Sequence, residues 1–392
     1  MTTTTLSPRA VLFAGGGTGG HIYPNVAIDE KLDQSSVEAS AGPNLAIDEK
    51  LVGSTSSDSV ASHFLVSDRT GDARTMNALG RRWSASVVRP LPPLRKPWRA
   101  LPFYLSWRRA VTQAVALLRR EQIGVVVATG GFVSGPALVA ARQLGIPRAM
   151  VNLDAVPGIA NRRLHRECTV VFTAYPSAHL PGARHIGLPL RQASLLVGDR
   201  SAARVRLGLD PERPLLFVTG ATHGAESIIR AMMAIVEVPE HARRLSDWQV
   251  LHQCGGFDVA TLQEAYDRAG VRAKVVDYLA GMGDAWGSAD LALSRAGAGS
   301  VAEAWANATP TIFSPNPYHA DGHQRLNAAP LAEAGGAVIV TDLVDPQRNL
   351  GELGGALAEL LGDELRRAVE MIDAISLSFA PSITWAWLRM TA

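Results

Sequence analysis

Short apolar runs recur along the chain, and several of them end in a glycine-rich loop that opens a helical pattern. The run Ala10–Ala14 enters the glycines that start at Gly15, and Pro24–Leu32 then reads as a helix. His63–Val66 and Ser86–Val88 have strand composition. Gly124–Ala128 is a continuous apolar strand pattern before a second glycine pair. The helix Pro136–Leu144 and the strand Arg148–Asn152 follow it. The alternation restarts at Pro214–Thr219, before G-A-T-H-G-A. Helices are expected over Ala225–Val238, Ala260–Ala269 and Val301–Ala306. Strands are expected over Val250–Gln253, Lys274–Tyr278, Leu291–Ser294, Thr311–Ser314 and Ala337–Val340. Such alternation predicts an α/β chain of parallel βαβ units. Glycine loops at strand C-termini are where open α/β sheets bind ligands.

The two runs of alternation predict two domains, residues 8–190 and 191–375, with the break near Leu188–Gln192. A Trp-rich final helix over about 376–392 is expected to pack back on the first domain. The stretch P-N-V-A-I-D-E-K-L at Pro24–Leu32 recurs once as P-N-L-A-I-D-E-K-L at Pro43–Leu51. One tandem copy is not an array, so residues 33–62 read as a local surface insertion with one extra helix.

Composition narrows the classes. With 392 residues and 47% hydrophobic content, the chain can bury the cores of two or three domains. A net charge of +2 gives no ground for a nucleic-acid partner. Cys168 and Cys254 form neither a disulfide framework nor a metal-ligand spacing, which fits a reducing cytoplasm. The N-terminal M-T-T-T-T-L-S-P-R-A lacks the apolar core of a secretory signal. Ile123–Ala141 carries no charge and mimics a membrane span, but T-G-G-F-V-S-G-P interrupts it, so strand, turn and helix explain it better.

The glycine loops are the first candidate chemistry. Gly16, Gly17, Thr18, Gly19 and Gly20 offer backbone N–H groups to an anion at a helix N-terminus. No G-K-[ST] follows, so the loop is not a P-loop; it either meets a phosphate or makes a tight turn. His21, at the helix start, should prefer the neutral imidazole. It is either a general base or a capping histidine. Gly130, Gly131 and Ser134 form a second strand–loop–helix turn, and Gly220, Thr222 and Gly224 a third. Ser300 and Glu303 have the S-x-x-E form of a capping box; alternatively Glu303 accepts the hydroxyls of a ribose. His319, Asp321, His323, Gln324 and Asn327 share one polar loop. It lacks the H-E-x-x-H form, so sugar hydroxyls suit it better than a metal, with a solvated loop as the plain alternative. Between Arg95 and Arg109, basic residues alternate with Trp98, Phe103, Tyr104 and Trp107. Together with Arg99 they suit either an anionic lipid surface or a snorkelling surface helix.

In order along the chain, G-G-T-G-G-H-I-Y-P, G-G-F-V-S-G-P, H-Q-C-G, S-R-A-G-A-G-S-V-A-E and H-A-D-G-H-Q-R-L-N-A resemble the MurG family of glycosyltransferase family 28. The resemblance spans Val11 to about Val340. It implies the GT-B fold, with two Rossmann-like domains whose parallel sheets face each other across a cleft. It implies inverting transfer of N-acetylglucosamine from a UDP-sugar donor to lipid I, a lipid-linked acceptor. It also implies a peripheral place on the anionic cytoplasmic face of the inner membrane. UDP-N-acetylglucosamine would be a substrate, with no cofactor or metal implied. His21 matches the family's proposed base. Thr18, Gly19 and Gly20 match the loop near the phosphates, Gly16, Gly17, Gly130, Gly131 and Ser134 the acceptor-side turns, and Arg191 the arginine near the pyrophosphate. Leu279 falls where backbone meets uracil, Glu303 matches the ribose-binding glutamate and Gln324 a glutamine that reads the donor sugar. Gly220, Thr222, Gly224, Ala298, Gly299, Ser300 and Asn327 complete the donor set. Four departures stand out: Asp154 replaces an asparagine, Leu188 replaces another, Thr222 replaces a serine and Gly322 replaces an arginine.

Overall fold

The computed structural model describes residues 10–17, 19–41, 61–92, 95, 97–220, 225–319 and 321–361, with backbone alone for 34–41 and 97. The chain divides into two compact units, the first ending at Arg191 and the second beginning at Gln192. The repeated Pro43–Leu51 segment and the expected helix over about 376–392 lie outside the described residues.

The first unit holds β1 (Ala10–Gly15), β2 (Ala61–Ser67), β3 (Trp83–Ser86), β4 (Val125–Gly130), β5 (Arg148–Asn152), β6 (Val170–Thr173) and β7 (Arg184–His185). All pair in parallel, in the order β3-β2-β1-β4-β5-β6-β7. The second unit repeats the plan with β8 (Leu215–Thr219), β9 (Gln249–Gln253), β10 (Ala273–Val276), β11 (Leu291–Ser294), β12 (Thr311–Phe313) and β13 (Ala337–Ile339). Their order is β10-β9-β8-β11-β12-β13, again all parallel. In each sheet the chain fills one side and then returns to the other. The direction of winding therefore reverses between β1 and β4, and between β8 and β11. Loops leaving the strands at such a reversal diverge and open a crevice.

The cores explain why the strands read as unbroken apolar runs. Leu216 and Val218 pack in one cluster, whereas their neighbours Leu215 and Phe217 pack in another. Adjacent residues of a strand point to opposite faces, and here both faces are covered. In the first sheet, Leu12 and Ala14 join the cluster beneath helices Ala100–Arg120 and Ser134–Gln143. On the opposite face Phe13 stacks on Phe64, ring centroids 5.1 Å apart.

Several element boundaries differ from the pattern reading. The first helix runs Gly19–Ala41, starting five residues before Pro24 and continuing past Leu32 into the expected insertion. Pro24 is tolerated because the carbonyl it leaves without a partner is that of Gly20, which is exposed. β3 is Trp83–Ser86, not Ser86–Val88, and helix Ala298–Ala306 begins three residues before Val301. The charge-free stretch Ile123–Ala141 is β4, a glycine turn and helix Ser134–Gln143. Among the described residues no helix is long and apolar enough to cross a membrane.

Candidate functional site

The first cluster sits at the winding reversal between β1 and β4. β1 ends at Gly15, where a Cβ would lie 2.2 Å from Thr129 Oγ1, so only glycine lets the two strand ends approach. Helix Gly19–Ala41 then carries His21 back over β4. His21 Nδ1 lies 3.2 Å from the Thr129 carbonyl oxygen, and Thr129 Oγ1 donates to the His21 carbonyl at 2.7 Å. A carbonyl only accepts, so the Nδ1 side of the ring is the donor in this contact, which assigns the acceptor role to Nε2 in the Nδ1–H tautomer. The turn Gly130–Gly131 flanks the ring: a Cβ on either would stand 3.4 Å from it. Gly131, at φ +76°, also passes so close to the Gly16 carbonyl that a Cβ would be 2.6 Å away. The ring is therefore walled by backbone and half-buried.

Asp72 fixes the glycine loop from behind. Its Oδ2 accepts the Gly17 N–H at 2.7 Å, the Ser67 N–H at 3.1 Å and the Ser67 hydroxyl at 2.6 Å, all buried. Arg69 Nη1 donates to the Gly17 carbonyl at 2.7 Å. The Gly17 N–H, expected to face an anion, is thus used inside the fold. Ser134 behaves likewise. Its buried hydroxyl lies 2.9 Å from the Ala14 carbonyl and 2.6 Å from that of Gly130, and it accepts the Gly130 N–H. It closes the turn and does not face the loop's open side. Gly19 is buried and Gly20 exposed at the helix start; Thr18 lies outside the described residues.

Arg191 comes to the same helix. Its guanidinium carbon is 4.0 Å from the centroid of the Tyr23 ring, a cation–π contact. Its buried Nε has no hydrogen-bond partner among the described residues. A cation over the first turns of a helix is disfavoured by the helix dipole unless an anion joins it. Asp154 is half-buried. Its carbonyl accepts from Asn152 Nδ2 at 2.7 Å, and Asn152 Oδ1 accepts from Asn161 Nδ2 at 3.0 Å. Asn161 in turn borders Gly130. Burial, then the Asp154 charge, pushes the Tyr175 phenol well above its ordinary range.

The second cluster belongs to the second unit. The Glu303 carboxylate accepts the Ser194 hydroxyl at 2.8 Å and the Trp286 indole N–H at 3.0 Å. The capping box is overturned: the helix begins at Ala298 with Gly297 as its N-cap, so Ser300 lies inside the first turn and Glu303 a full turn beyond. Ala298 and Ser300 are buried and Gly299 half-buried. Asn327 is fully buried and donates to the Ala296 carbonyl at 3.3 Å, bracing the loop after β11. Gln324 Oε1 accepts the Asn316 N–H at 2.8 Å, which leaves its NH2 as the group open to a ligand. Leu279 is half-buried against the core, and Gly220 is half-buried at the end of β8. Thr222 and Gly224 lie outside the described residues.

Helix Ala100–Arg120 corrects part of the aromatic surface. Trp107 packs onto Gly135, where a Cβ would meet its ring at 2.5 Å, and Phe103 lies 6.0 Å from Trp107. With Ala110, Ala114 and Leu117 these two form the inward stripe of the helix. Trp98, Leu101, Tyr104 and Leu105 are exposed, as are Arg99, Arg108 and Arg109.

Asp72, Asn152, Asn161, Ser194 and Trp286 take part in these clusters without standing in any of the motifs. Asp72 follows D-R-T-G in a short helix after β2, the kind of polar strand-end segment that signalled the other loops. The remaining four carry no motif: Asn152 bonds within its own strand end, and Asn161, Ser194 and Trp286 meet their partners only in the folded chain.

Residues 11–173 match the glycosyltransferase family 28 N-terminal domain, and residues 215–383 match the C-terminal domain of the same family. A curated relative from Frankia casuarinae is 36% identical over 85% of this chain and 83% of its own length. It is named UDP-N-acetylglucosamine–N-acetylmuramyl-(pentapeptide) pyrophosphoryl-undecaprenol N-acetylglucosamine transferase. A relative of the same name from Halorhodospira halophila is 32% identical over 94% of each chain. The crystal structure of Acinetobacter baumannii MurG superposes with a TM-score of 0.68 at 23% identity, covering 97% of this chain and 98% of that one, which shows the shared GT-B fold. With both domain matches and relatives of this identity along most of its length, the chain belongs to the MurG family within glycosyltransferase family 28.

Proposed function

We propose that this chain is an inverting transferase that moves N-acetylglucosamine from UDP-N-acetylglucosamine to a polyprenyl-pyrophosphoryl-muramyl acceptor. The observation that carries the reading is the contact of His21 Nδ1 with the Thr129 carbonyl, which orients the ring so that Nε2 is the nitrogen to take a proton beside the Gly130–Gly131 turn. In the reaction, the acceptor sugar hydroxyl gives its proton to His21 Nε2 and its oxygen bonds to the anomeric carbon. The bond from that carbon to the UDP oxygen breaks, and UDP leaves with the electron pair. The Arg191 guanidinium and backbone N–H groups of the loops would offset charge on the departing diphosphate. Glu303, Gln324 and the loop after β11 would hold the nucleoside and sugar. The reading takes UDP-N-acetylglucosamine as substrate and uses no resident cofactor.

The exposed Trp98, Leu101, Tyr104 and Leu105, interleaved with Arg99, Arg108 and Arg109, support contact with an anionic membrane surface. On this reading the enzyme works peripherally, on the cytoplasmic face where nucleotide sugars are available. The test incubates the purified chain with UDP-N-acetylglucosamine, with and without a lipid I analogue, and follows UDP and sugar products. Disaccharide formed only with the acceptor supports the reading. Free N-acetylglucosamine without acceptor, or no turnover, would sink it.

A further inference from the structure

Beyond β12 the chain makes a tight polar turn before helix His323–Glu333. The turn is held by its own bonds: Tyr318 N–H donates to Asn316 Oδ1 at 2.9 Å, Gly322 N–H to the His319 carbonyl at 3.0 Å, and Asn316 N–H to Gln324 Oε1 at 2.8 Å. Gly322, at φ +60°, lets the backbone reverse there. The reversal brings His319 against His323, ring centroids 4.5 Å apart and planes at 89°. Asp321 Oδ1 lies 2.7 Å from His323 Nδ1 and accepts the His323 N–H at 3.3 Å. One donor atom from each of His319, Asp321 and His323 lies within 4.8 Å of the other two. This is the one such group of three among the described residues.

A solvated turn needs only the Asp321 contact to the first N–H of the helix. It does not call for two imidazoles edge to face beside the same carboxylate. Two neutral imidazoles and a carboxylate form a borderline donor set that suits zinc and its neighbours better than magnesium or calcium. Zinc bonds of about 2.0–2.2 Å place tetrahedral donors roughly 3.3 Å apart. The set therefore closes by at most about 1.5 Å. His319 and Asp321 are exposed and His323 half-buried, so side-chain rotation supplies that movement without a shift of backbone. Three protein donors leave the fourth position to water or another ligand.

We propose that His319, Asp321 and His323 bind one divalent zinc-class ion, which fastens the turn that presents Gln324. This site is independent of the transferase reading and can be tested without activity. Untagged full-length protein is stripped with a chelator, desalted and titrated with Zn²⁺ by calorimetry, and its Co²⁺ form is examined by absorption spectroscopy. The expected result is one tight ion per chain and an intense visible Co²⁺ band of low coordination number. His319→Ala and His323→Ala should each weaken Zn²⁺ by about tenfold or more, while His165→Ala, in the first unit, should leave it unchanged. Circular dichroism should show the metal-free variants folded, since the changed side chains lie at the surface. The proposal is overturned if the combined His319→Ala, Asp321→Asn, His323→Ala variant binds Zn²⁺ as tightly as the native chain. It is equally overturned if bound Co²⁺ keeps the spectrum of the hexaaqua ion.

Discussion

The Gly17 N–H donates to Asp72 Oδ2 at 2.7 Å, across a buried contact between residues 55 positions apart. One carboxylate oxygen thereby holds the glycine loop and the end of β2 together, because it also takes both donors of Ser67. Replacing Asp72 by Ala leaves three donors without an acceptor in a buried place. The expected loss is about 2–4 kcal/mol of stability, read as a lower urea midpoint with unchanged slope. A midpoint equal to the native one would show that the loop does not depend on this clamp.

For His21 the expectation is a separation of chemistry from binding. His21→Ala should lower kcat by about 10²–10⁴-fold while the Kd for UDP changes by less than about threefold. Thr129→Val should retain His21 but remove the hydroxyl that holds its carbonyl, with a smaller loss of kcat. If His21→Ala weakens UDP binding as much as turnover, the residue holds ligand or fold and does not act as base.

Glu303 has a structural duty that a ribose contact alone would not have. Its carboxylate accepts from both Ser194 and Trp286, so Glu303→Ala should destabilise the second unit by about 1–3 kcal/mol even without nucleotide. UDP affinity should fall as well. Thermal melts with and without UDP separate the two effects; an unchanged melt without UDP would remove the structural duty.

The exposed aromatics at the start of helix Ala100–Arg120 and its inward stripe should respond differently. Trp98→Ala with Tyr104→Ala should reduce sedimentation with phosphatidylglycerol vesicles and leave the melting temperature in place. Trp107→Ala, on the inward stripe, should cost roughly 2–3 kcal/mol of stability. Unaltered vesicle binding by the double variant would remove this helix from the membrane contact.

His252 is fully buried in β9, with Nδ1 2.9 Å from the Tyr266 hydroxyl. Burial pushes its imidazole down to about 3 from an ordinary value of 6.5. The unfolded chain therefore binds a proton near pH 6.5 that the folded chain refuses until about pH 3. Stability from this group is fully present above pH 6.5 and declines as pH falls toward 3. His252→Gln should flatten the acid limb of stability against pH, by up to about 1.4 kcal/mol per pH unit. Parallel curves for the two proteins would refute the assignment.

The parallel architecture was legible because apolar runs and glycine loops are local signals. Leu291–Ser294 was placed to the residue, and the charge-free stretch around Gly130 resolved as strand, turn and helix. Helix starts were less legible. Gly19 opens its helix despite the poor helix propensity of glycine, and Ala298 opens one directly behind the N-cap Gly297, so glycine-rich stretches read as loop already belong to the helices. His21 and Glu303 were legible through the motifs around them. Asp72, Asn161 and Trp286 were not, since each is defined by a partner outside its own element. Phe103 and Trp107 were grouped with Trp98 and Tyr104, because composition shows that aromatics are present and only helical phase shows which way they point.

The short path from Gly15 to His21 has a consequence for how this chain tolerates change in length. Each residue added to or removed from a helix turns everything beyond it by about 100°. Within the helix that starts at Gly19, a single residue inserted ahead of His21 would swing the histidine off the Thr129 carbonyl and bring a neighbour of different chemistry to its place. Residues added beyond Leu32 come after that angular setting is complete, so they leave the orientation of His21 untouched. Length is thus rigidly metered on one side of the histidine and free to vary on the other.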